Sequence, residues 1–342
     1  MRRYKAVIRI RCRRGYGNFW IMEIRDKKIL IYGMGISGKG LAKLLKRAGV
    51  SMALFDDRED LDRQALLDEL QLDAGTRVIL GELKKEDLDD IDIMAISPGI
   101  SVNAPKVEFA RSCGKLITGE LELAYELSEG CLIAITGTNG KTTTTSLTGE
   151  IMKAYFEKVF VVGNIGFSYA AAALDTSKDS VTVAEVSSFQ LETISQFRPD
   201  ISAVLNLTPD HLDRHKTFEN YALCKMRIAS NQTADQKCVI NYDDVYLRKL
   251  SEDLIPEVVY FSRLEKLKKG VFLEDDMIVF SDGKTKTELL NKNDTNLMGD
   301  HNVENVMAAA AISICAGVPV DVIIKVIKDF KADRKSTRLN SS

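Results

Sequence analysis

Short apolar runs alternate with amphipathic stretches along most of this chain. In its first part, Lys28–Tyr32 and Val50–Phe55 are apolar runs of strand length, and Lys39–Ala48 between them has the spacing of a helix. Two further short strands are predicted at Ile91–Ile96 and Lys115–Thr118. Because strands that alternate with helices build parallel sheets, the pattern predicts an α/β fold.

The alternation continues in the second part of the chain. Strands are predicted at Cys131–Ile135, Val159–Val162, Val181–Val186, Ile201–Leu207, Val239–Asn241 and Val258–Phe261. Helices are predicted at Thr142–Tyr155 and Asp321–Phe330. Residues 262–296 are predicted to form a small β-rich insertion with turns at Asp275-Asp276 and Asp282-Gly283. A second parallel sheet is therefore expected.

The length of 342 residues favours two domains. We expect a first domain at 22–125 and a second at 126–332. Residues 1–21 carry seven basic residues and no acidic one, and we expect a non-native or disordered leader there, ahead of Met22. The polar end 333–342 lacks periodicity, and we expect an artefactual tail there, with a disordered natural C-terminus as the alternative.

Composition narrows the class of protein. The net charge is −2, and the chain without its basic ends is strongly acidic, which argues against a nucleic-acid partner. No apolar run approaches the roughly 18 residues of a membrane span. The six cysteines contain no C-x-x-C pair, so free thiols fit better than disulfides or a zinc cluster. We expect a cytoplasmic monomer.

A glycine-rich turn of the form G-x-G-x-x-G follows the first predicted strand. Its candidate binding residues are Gly33, Gly35, Ile36, Ser37 and Gly38. Such a turn brings a helix N-terminus to a phosphate in Rossmann-like domains, and an acidic residue about 20 positions later binds the ribose. Asp56 and Asp57 stand at that distance. The pattern predicts a nucleotide site; a tight turn without ligand and the NAD site of an oxidoreductase are the alternatives.

A second glycine-bearing turn follows the predicted strand Cys131–Ile135. It reads G-T-N-G-K-T-T and consists of Gly137, Thr138, Asn139, Gly140, Lys141, Thr142 and Thr143. Backbone N–H groups at a helix N-terminus suit phosphates, Lys141 suits the β- and γ-phosphates, and the Thr142 hydroxyl suits Mg²⁺. Ile135 replaces the first glycine of the common P-loop pattern. The turn predicts a site for ATP and Mg²⁺, and a dehydrogenase has no use for it.

Other polar residues follow predicted strands and should lie along the same sheet edge as this turn. Glu185 and His211 are placed to hold a second metal ion or to orient a phosphoryl group. His211 and His215 are four residues apart, but the Glu of the zinc motif H-E-x-x-H is absent. Lys225, taken alone, reads as a solvated helix lysine. In the first domain, the turn Ser97-Pro98-Gly99 follows a strand in the same way.

Six ordered motifs resemble those of the Mur ligases and cover the predicted second domain almost completely. They are G-T-N-G-K-T-T, G-N-I-G, E-V-S-S-F-Q-L, N-L-T-P-D-H-L-D-R-H, Y-A-L-C-K-M-R-I and G-D-H-N-V-E-N-V-M-A-A-A-A. Through G-M-G-I-S-G, F-D-D-R and S-P-G-I, the first domain is similar to that of the family member that adds D-glutamate. The resemblance implies a Rossmann-like N-terminal domain followed by a P-loop ATPase domain.

The resemblance also implies which residues bind the substrate. Those that would hold a uridine diphosphate moiety, rather than NAD, are the glycine-turn residues Gly33, Gly35, Ile36, Ser37 and Gly38 with Asp56, Asp57, Ser97, Pro98 and Gly99. Those that would face the muramoyl part of the substrate are Asn164, Ser187 and His211.

For ATP, the resemblance implies that the turn Gly137–Thr143 binds the phosphates and that Asn302 and Asn305 contact the adenine nucleotide. The metal site would comprise Thr142, Glu185, His211 and Lys225. Lys225 matches a lysine that the family carbamylates with CO₂, which turns an ammonium into an anionic group. Lys141, Glu185, His211 and Lys225 are the implied catalytic residues.

The implied reaction joins D-glutamate to UDP-N-acetylmuramoyl-L-alanine in peptidoglycan precursor synthesis. ATP phosphorylates the terminal carboxylate, and the amine then attacks the acyl phosphate and expels phosphate. Family members have a third domain that binds the amino acid. The match to the family ends near Ala332, so we expect that domain to be absent and full turnover to fail. Another Mur-type ligase, an NAD-linked oxidoreductase and a non-catalytic binding module are the alternatives.

Overall fold

The computed structural model describes residues 24–163 and 168–331. The predicted leader at 1–21, the predicted tail at 333–342 and Asn164 lie outside these residues. Two sheets organise the described part, one of five strands and one of nine. The predicted α/β fold with two mainly parallel sheets is confirmed.

The smaller sheet is parallel throughout, in the strand order β3-β2-β1-β4-β5. Its strands are β1 (Lys28–Tyr32), β2 (Ser51–Asp56), β3 (Val78–Leu80), β4 (Ile93–Ile96) and β5 (Leu116–Gly119). Its helices are α1 (Ile36–Ala48), α2 (Arg63–Leu70), α3 (Pro105–Ser112) and α4 (Glu120–Glu126). Because β1 lies between β2 and β4, the glycine turn after β1 lies beside the ends of both neighbours.

The larger sheet has the strand order β14-β13-β12-β11-β10-β9-β6-β8-β7. Its strands are β6 (Cys131–Thr136), β7 (Val159–Val162), β8 (Val181–Glu185), β9 (Ile201–Val204), β10 (Lys237–Asn241), β11 (Glu257–Ser262), β12 (Gly270–Glu274), β13 (Met277–Ser281) and β14 (Lys286–Asn291). Its helices are α5 (Lys141–Tyr155), α6 (Tyr169–Ala172), α7 (Ser188–Leu191), α8 (Leu212–His215), α9 (Phe218–Met226), α10 (Val245–Ser251), α11 (Asp300–Cys315) and α12 (Val320–Asp329). The strand β6 lies between β8 and β9, so the chain after each of these three strands emerges at one edge.

The predicted β-rich insertion at 262–296 extends the larger sheet. β12 pairs in parallel with β11, and β13 and β14 then add antiparallel strands at the edge. Both predicted turns are present, since Asp275 (φ 55°) and Gly283 (φ 95°) adopt left-handed backbone conformations.

The two sheets share buried apolar surface. One hydrophobic cluster contains Leu44 of α1, Tyr169 of α6 and Leu191 of α7, so it runs from the helix layer of the smaller sheet into that of the larger one. At the surface of this contact, Arg47 of α1 pairs with Asp175 at 2.6 Å. Within the described residues, no helix combines the length and apolar character needed to cross a membrane.

Candidate active site

The turn Gly137–Gly140 joins β6 to α5 and has a conformation that requires glycine. Gly140 adopts φ 80°, and a Cβ atom there would lie 2.2 Å from Oδ1 of Asn305. Asn206, two residues after the end of β9, fixes the turn: its Oδ1 accepts from the Asn139 N–H at 2.8 Å, and its Nδ2 donates to the Asn139 carbonyl at 3.1 Å. These contacts fix the shape of the turn at the N-terminus of α5, a position where backbone N–H groups can bind an anion.

Thr138 adds a second anchor for the same turn. Its hydroxyl donates to the Thr208 carbonyl at 3.2 Å and accepts from the Thr208 N–H at 3.0 Å. The buried Tyr221 hydroxyl lies 3.0 Å from the same oxygen. Asn206 and Tyr221 were not predicted as site residues; each stands inside a motif quoted above, N-L-T-P and Y-A-L-C-K, which is the signal that could have found them.

Thr142 and Glu185 meet at the ends of adjacent strands. Ile135 of β6 is in register with Glu185 of β8, and the Thr142 hydroxyl donates to Oε2 of Glu185 at 3.1 Å. Glu185 is only 3% exposed, and Gly163 packs directly on it, since a Cβ atom on Gly163 would lie 2.8 Å from the Glu185 Cβ. A hydroxyl and a carboxylate within hydrogen-bond distance are the hard oxygen donors that suit Mg²⁺, so the donor set fits this ion.

Lys225 of α9 points into the protein beneath the phosphate turn. It is 2% exposed, and its Nζ donates to the Gly137 carbonyl at 2.8 Å. Burial, with the nearby charge of Lys141 as the next cause, lowers the pKa of Lys225 to about 7. The interpretation of Lys225 as a solvated helix lysine is therefore wrong, because its side chain is buried and its Nζ reaches the end of β6.

Lys141, the first residue of α5, curls back onto its own turn. Its Nζ donates to the carbonyls of Gly137 at 3.0 Å and Thr138 at 2.8 Å, and burial lowers its pKa. Thr143 follows on the first turn of α5 and is half-buried. Two lysines thus converge on the Gly137 carbonyl oxygen, which concentrates positive charge at the turn.

His211 and His215 differ in their exposure to solvent. His211 has a left-handed backbone (φ 50°), is half-exposed, and its ring lies 4.8 Å from the Phe189 ring. His215 is buried, with Nε2 3.1 Å from the Ser188 hydroxyl. The two histidines therefore have different surroundings, one half-exposed and one buried.

Among the described residues, one group of three could in principle hold a metal: Glu192, His215 and Cys224, whose ligand atoms lie within 4.8 Å of one another. These groups already have partners. The Glu192 carboxylate pairs with Arg214 at 2.5 Å, and the Cys224 thiol donates to the Ser188 carbonyl at 3.1 Å. Burial raises the pKa of the Cys224 thiol to about 12, which opposes the thiolate a metal needs.

The glycine turn of the smaller sheet is tightly packed on its inner side and open on its outer side. A Cβ atom on Gly38 would lie 1.9 Å from the Gly33 carbonyl oxygen, whereas Gly35 has nothing within 4 Å of that position. Ile36 is 91% exposed, and Ser37 follows it in the first turn of α1. Ser97 donates from its hydroxyl to the Gly33 carbonyl at 2.8 Å. The two predicted elements of a nucleotide site, the glycine turn and the turn Ser97-Pro98-Gly99, are therefore in contact.

Asp56 and Asp57 end β2 beside this turn but have different surroundings. Asp56 is buried; its carboxylate accepts from the Met34 N–H at 2.7 Å and from the Arg58 guanidinium at 2.8 and 3.0 Å. Burial alone would raise its pKa, but these hydrogen bonds outweigh it and lower the pKa to about 2. Asp57 accepts from the Tyr32 hydroxyl at 2.6 Å and pairs with Lys106. Both carboxylate oxygens of Asp56 therefore already have partners within the protein.

The remaining predicted residues lie around the phosphate turn. Asn305 is buried and its Oδ1 accepts from the Thr144 hydroxyl at 3.3 Å, while its Nδ2 donates to Asn302 at 3.1 Å. This places α11 against Gly140. Ser187 follows Val186 after β8 and caps α7, since its hydroxyl accepts from the Gln190 N–H at 3.3 Å.

Comparison with known proteins identifies the relatives of this chain. A model of the Mur ligase middle domain matches residues 135–313, and a model of the MurD-like N-terminal domain of Mur ligases matches residues 27–119. The chain belongs to the Mur ligase family. The predicted resemblance is confirmed, and the NAD-linked alternative is not favoured.

Similar Mur ligases include two named UDP-N-acetylmuramoylalanine--D-glutamate ligase. The one from Lachnospira eligens is 47% identical over 311 residues, which are 91% of this chain and 69% of that protein. The one from Clostridioides difficile is 44% identical over 312 residues, with 91% and 68% covered.

Solved structures show the same fold at lower identity. The UDP-N-acetylmuramate:L-alanyl-gamma-D-glutamyl-meso-diaminopimelate ligase from Neisseria meningitides has a TM-score of 0.60 at 19% identity, covering 90% of this chain and 99% of that one. The UDP-N-acetylmuramate-alanine ligase from Thermotoga maritima has a TM-score of 0.51 at 21% identity, covering 90% and 69%.

Proposed function

We propose that this Mur ligase attaches D-glutamate to UDP-N-acetylmuramoyl-L-alanine with ATP as the phosphoryl donor, in the synthesis of the peptidoglycan precursor. One observation carries the proposal: the Thr142 hydroxyl, the Glu185 carboxylate and the buried Lys225 amine all meet at the turn Gly137–Thr143. An NAD-linked oxidoreductase has no use for this group. The names of the 47% and 44% identical relatives favour D-glutamate as the amino acid.

In the proposal, the uridine diphosphate moiety and ATP bind at two separate regions. The uridine diphosphate moiety binds at the open side of the glycine turn, along Gly35, Ile36 and Ser37, with Asp57 and the Ser97 turn beside it. The ATP phosphates bind the N–H groups of the turn before α5, and Asn302 and Asn305 contact the adenine nucleotide. Asn164, Ser187 and His211 face the muramoyl part.

Thr142 and Glu185 would hold Mg²⁺, with His211 and Lys225 as further metal-site groups. When bound, Mg²⁺ withdraws charge from the phosphate oxygens and screens an incoming carboxylate from them. In the described structure, the Lys141 Nζ donates to the carbonyls of Gly137 and Thr138. In the proposal, it gives up these two hydrogen bonds and binds the β- and γ-phosphates instead.

The reaction proceeds in two steps. A carboxylate oxygen of the substrate attacks the γ-phosphorus, its P–O bond forms as the bond to ADP breaks, and an acyl phosphate results. The neutral amine of D-glutamate then attacks the acyl carbon, the tetrahedral intermediate expels phosphate, and the amine loses a proton. A carboxylate is a poor electrophile until phosphate is its leaving group, so phosphorylation must come first.

Lys225 enters this chemistry as a carbamate. Its neutral amine forms an N–C bond to CO₂ and releases one proton, and the product keeps an N–H that can still donate to the Gly137 carbonyl. The cationic side chain thereby becomes anionic next to the predicted metal. The cysteines among the described residues are free thiols, which fits the reducing cytoplasm as the place of action.

The test measures phosphate release from ATP and Mg²⁺ in the presence of an added amino-acid-binding domain of a Mur ligase, because full turnover by the chain alone is expected to fail. Product mass is the second readout. We expect release to require UDP-N-acetylmuramoyl-L-alanine and D-glutamate together, and L-glutamate to be a poor replacement. Uridine diphosphate should bind in the absence of ATP, and NADH should not. A protein that binds NADH but neither uridine ligand would contradict the proposal.

A further inference from the structure

Arg214 of α8 connects the larger sheet to the nucleotide turn of the smaller one. Its Nη1 donates to the Pro98 carbonyl at 2.7 Å, and its Nη2 donates to the Ile100 carbonyl at 2.9 Å. These bonds join residues 116 and 114 positions apart in the chain. A guanidinium is planar and carries several donors in a fixed geometry, so it can hold both carbonyls at once.

The guanidinium is itself held from two other directions. Glu192 accepts from its Nη2 at 2.5 Å and from its Nε at 3.1 Å, and both side chains are only 12% exposed. The Phe189 ring lies 4.2 Å from the guanidinium carbon. An ion pair this far from solvent is weakly screened by salt, and the stacked ring limits rotation, so Arg214 has one orientation available.

The contacts of Arg214 lead to both predicted binding regions. On one side, the turn that it grips touches the glycine turn, because Ser97 donates to the Gly33 carbonyl at 2.8 Å and Ile100 packs on Gly33. On the other side, Phe189 packs against His211 with ring centres 4.8 Å apart. Arg214 therefore lies in the middle of a chain of contacts that runs from the glycine turn, where uridine diphosphate is proposed to bind, to His211, which is a proposed metal-site residue.

Along this path the two parts of the protein meet as the two walls of a tight seam, which has no room for a water molecule. Its lining includes Ser97, Pro98 and Glu120 from the smaller sheet, and Phe189, Gln190 and Thr193 from the segment after β8. In the proposed function, the substrate spans from the glycine turn on one side of this seam to the phosphate turn on the other. Their separation therefore decides whether such a ligand can touch both ends simultaneously.

We propose that Arg214 is a positioning residue that fixes the spacing of these two walls, and thereby sets the affinity for substrates that span them. The proposal rests on the proposed function, since it takes UDP-N-acetylmuramoyl-L-alanine as the spanning ligand. Free uridine diphosphate, which reaches only the glycine turn, is bound without help from Arg214. The residue does not touch the reacting atoms; it acts through the turn that it holds.

The test compares two ligands on three proteins. Calorimetry gives the Kd of UDP-N-acetylmuramoyl-L-alanine and of uridine diphosphate for the full-length wild type, Arg214→Lys and Arg227→Lys. Arg227 is a matched control, because its guanidinium also donates to two carbonyls, those of Glu192 at 2.9 Å and Ile194 at 2.8 Å, but both lie within the larger-sheet part. Thermal melting of each variant checks that it is folded.

In Arg214→Lys we expect the Kd of the spanning ligand to rise roughly tenfold, a typical coupling between sites, while that of uridine diphosphate changes less than about twofold. Arg227→Lys should leave the ratio of the two Kd values as in the wild type. An equal loss of both ligands in Arg214→Lys, or no loss of either, overturns the role of Arg214. A wild type that binds neither uridine ligand overturns the proposed function as well.

Discussion

The Nζ atom of Lys225 lies 2.8 Å from the carbonyl oxygen of Gly137, the first residue of the phosphate turn. Lys141 donates to the same oxygen at 3.0 Å. Burial and the second cation together hold the pKa of Lys225 at about 7, well below the ordinary value of a lysine. Near neutral pH, a substantial part of Lys225 is therefore the neutral amine, the form that attacks CO₂.

We predict that activity depends on CO₂ and rises as the pH passes through about 7. Below this pKa the side chain is protonated and cannot form the carbamate; above it the amine is free to react. The measurement is the rate of D-glutamate-dependent phosphate release in CO₂-depleted and bicarbonate-containing buffers across this pH range. Lys225→Arg stays cationic, and should be inactive in both buffers. A wild-type rate that ignores bicarbonate would count against the carbamate.

We predict that Thr142→Val lowers phosphate release by roughly 100-fold, because it keeps the shape of the side chain and removes the hydroxyl that meets Glu185 at 3.1 Å. The variant should also need more Mg²⁺ for half-maximal rate, which a magnesium titration measures. Thr142→Ser retains the hydroxyl and is the matched control. Equal rates for the Val and Ser variants would show that the hydroxyl is not a metal ligand.

Asp56 gives a prediction about stability and pH. Its folded-state pKa of about 2 lies below the ordinary pKa of 3.8. At pH values above 3.8, ionisation of Asp56 therefore stabilises the fold by about 2 kcal/mol. This contribution is lost as the pH falls through the folded-state value. Asp56→Asn should reduce the free energy of unfolding in urea by about this amount at neutral pH. The gap from the wild type should shrink in acid; a gap independent of pH would disprove the linkage.

The glycine turn of the smaller sheet offers a matched pair of substitutions. Gly38→Ala places a methyl group 1.9 Å from the Gly33 carbonyl oxygen, so α1 must move away from β1. We expect a loss of about 3 kcal/mol in unfolding free energy together with weaker uridine diphosphate binding. Gly35→Ala adds the same methyl where nothing lies within 4 Å, and its stability should stay within about 1 kcal/mol of the wild type. Similar stabilities for both variants would contradict the packing argument.

Much of the fold is readable from the sequence because buried parallel strands are short apolar runs bounded by turns. The prediction of Val159–Val162 matches the strand, and Cys131–Ile135 is one residue shorter than β6. The strand predicted at Ile201–Leu207 ends at Val204. The apolar residues Leu205 and Leu207 belong to the segment after the strand, which leads to the bond between Thr208 and Thr138. In this segment, hydrophobic residues indicate burial, but they do not indicate where the hydrogen bonds between the strands end.

The site was harder to predict than the fold. The phosphate turn is local, so its residues could be identified from one stretch of sequence. Arg214 escaped prediction because its carbonyl partners in the Ser97 turn come from another sheet, and an arginine in a polar segment carries no mark of burial. Asp56 is predicted as a substrate-binding acid, and its bonds to Met34 and Arg58 could not be predicted from the sequence, because they depend on how the turns after β1 and β2 meet.

The position of β6 between β8 and β9 has a consequence for the protein while it is being synthesised. The phosphate turn leaves the ribosome early, but Glu185 follows Thr142 by 43 residues and Lys225 follows Gly137 by 88. A nascent chain that has not yet reached residue 185 lacks the carboxylate and the amine, and it also lacks Asn206, which anchors the turn. The site is therefore complete only after β8 and β9 can pair with β6 and residue 225 has been added.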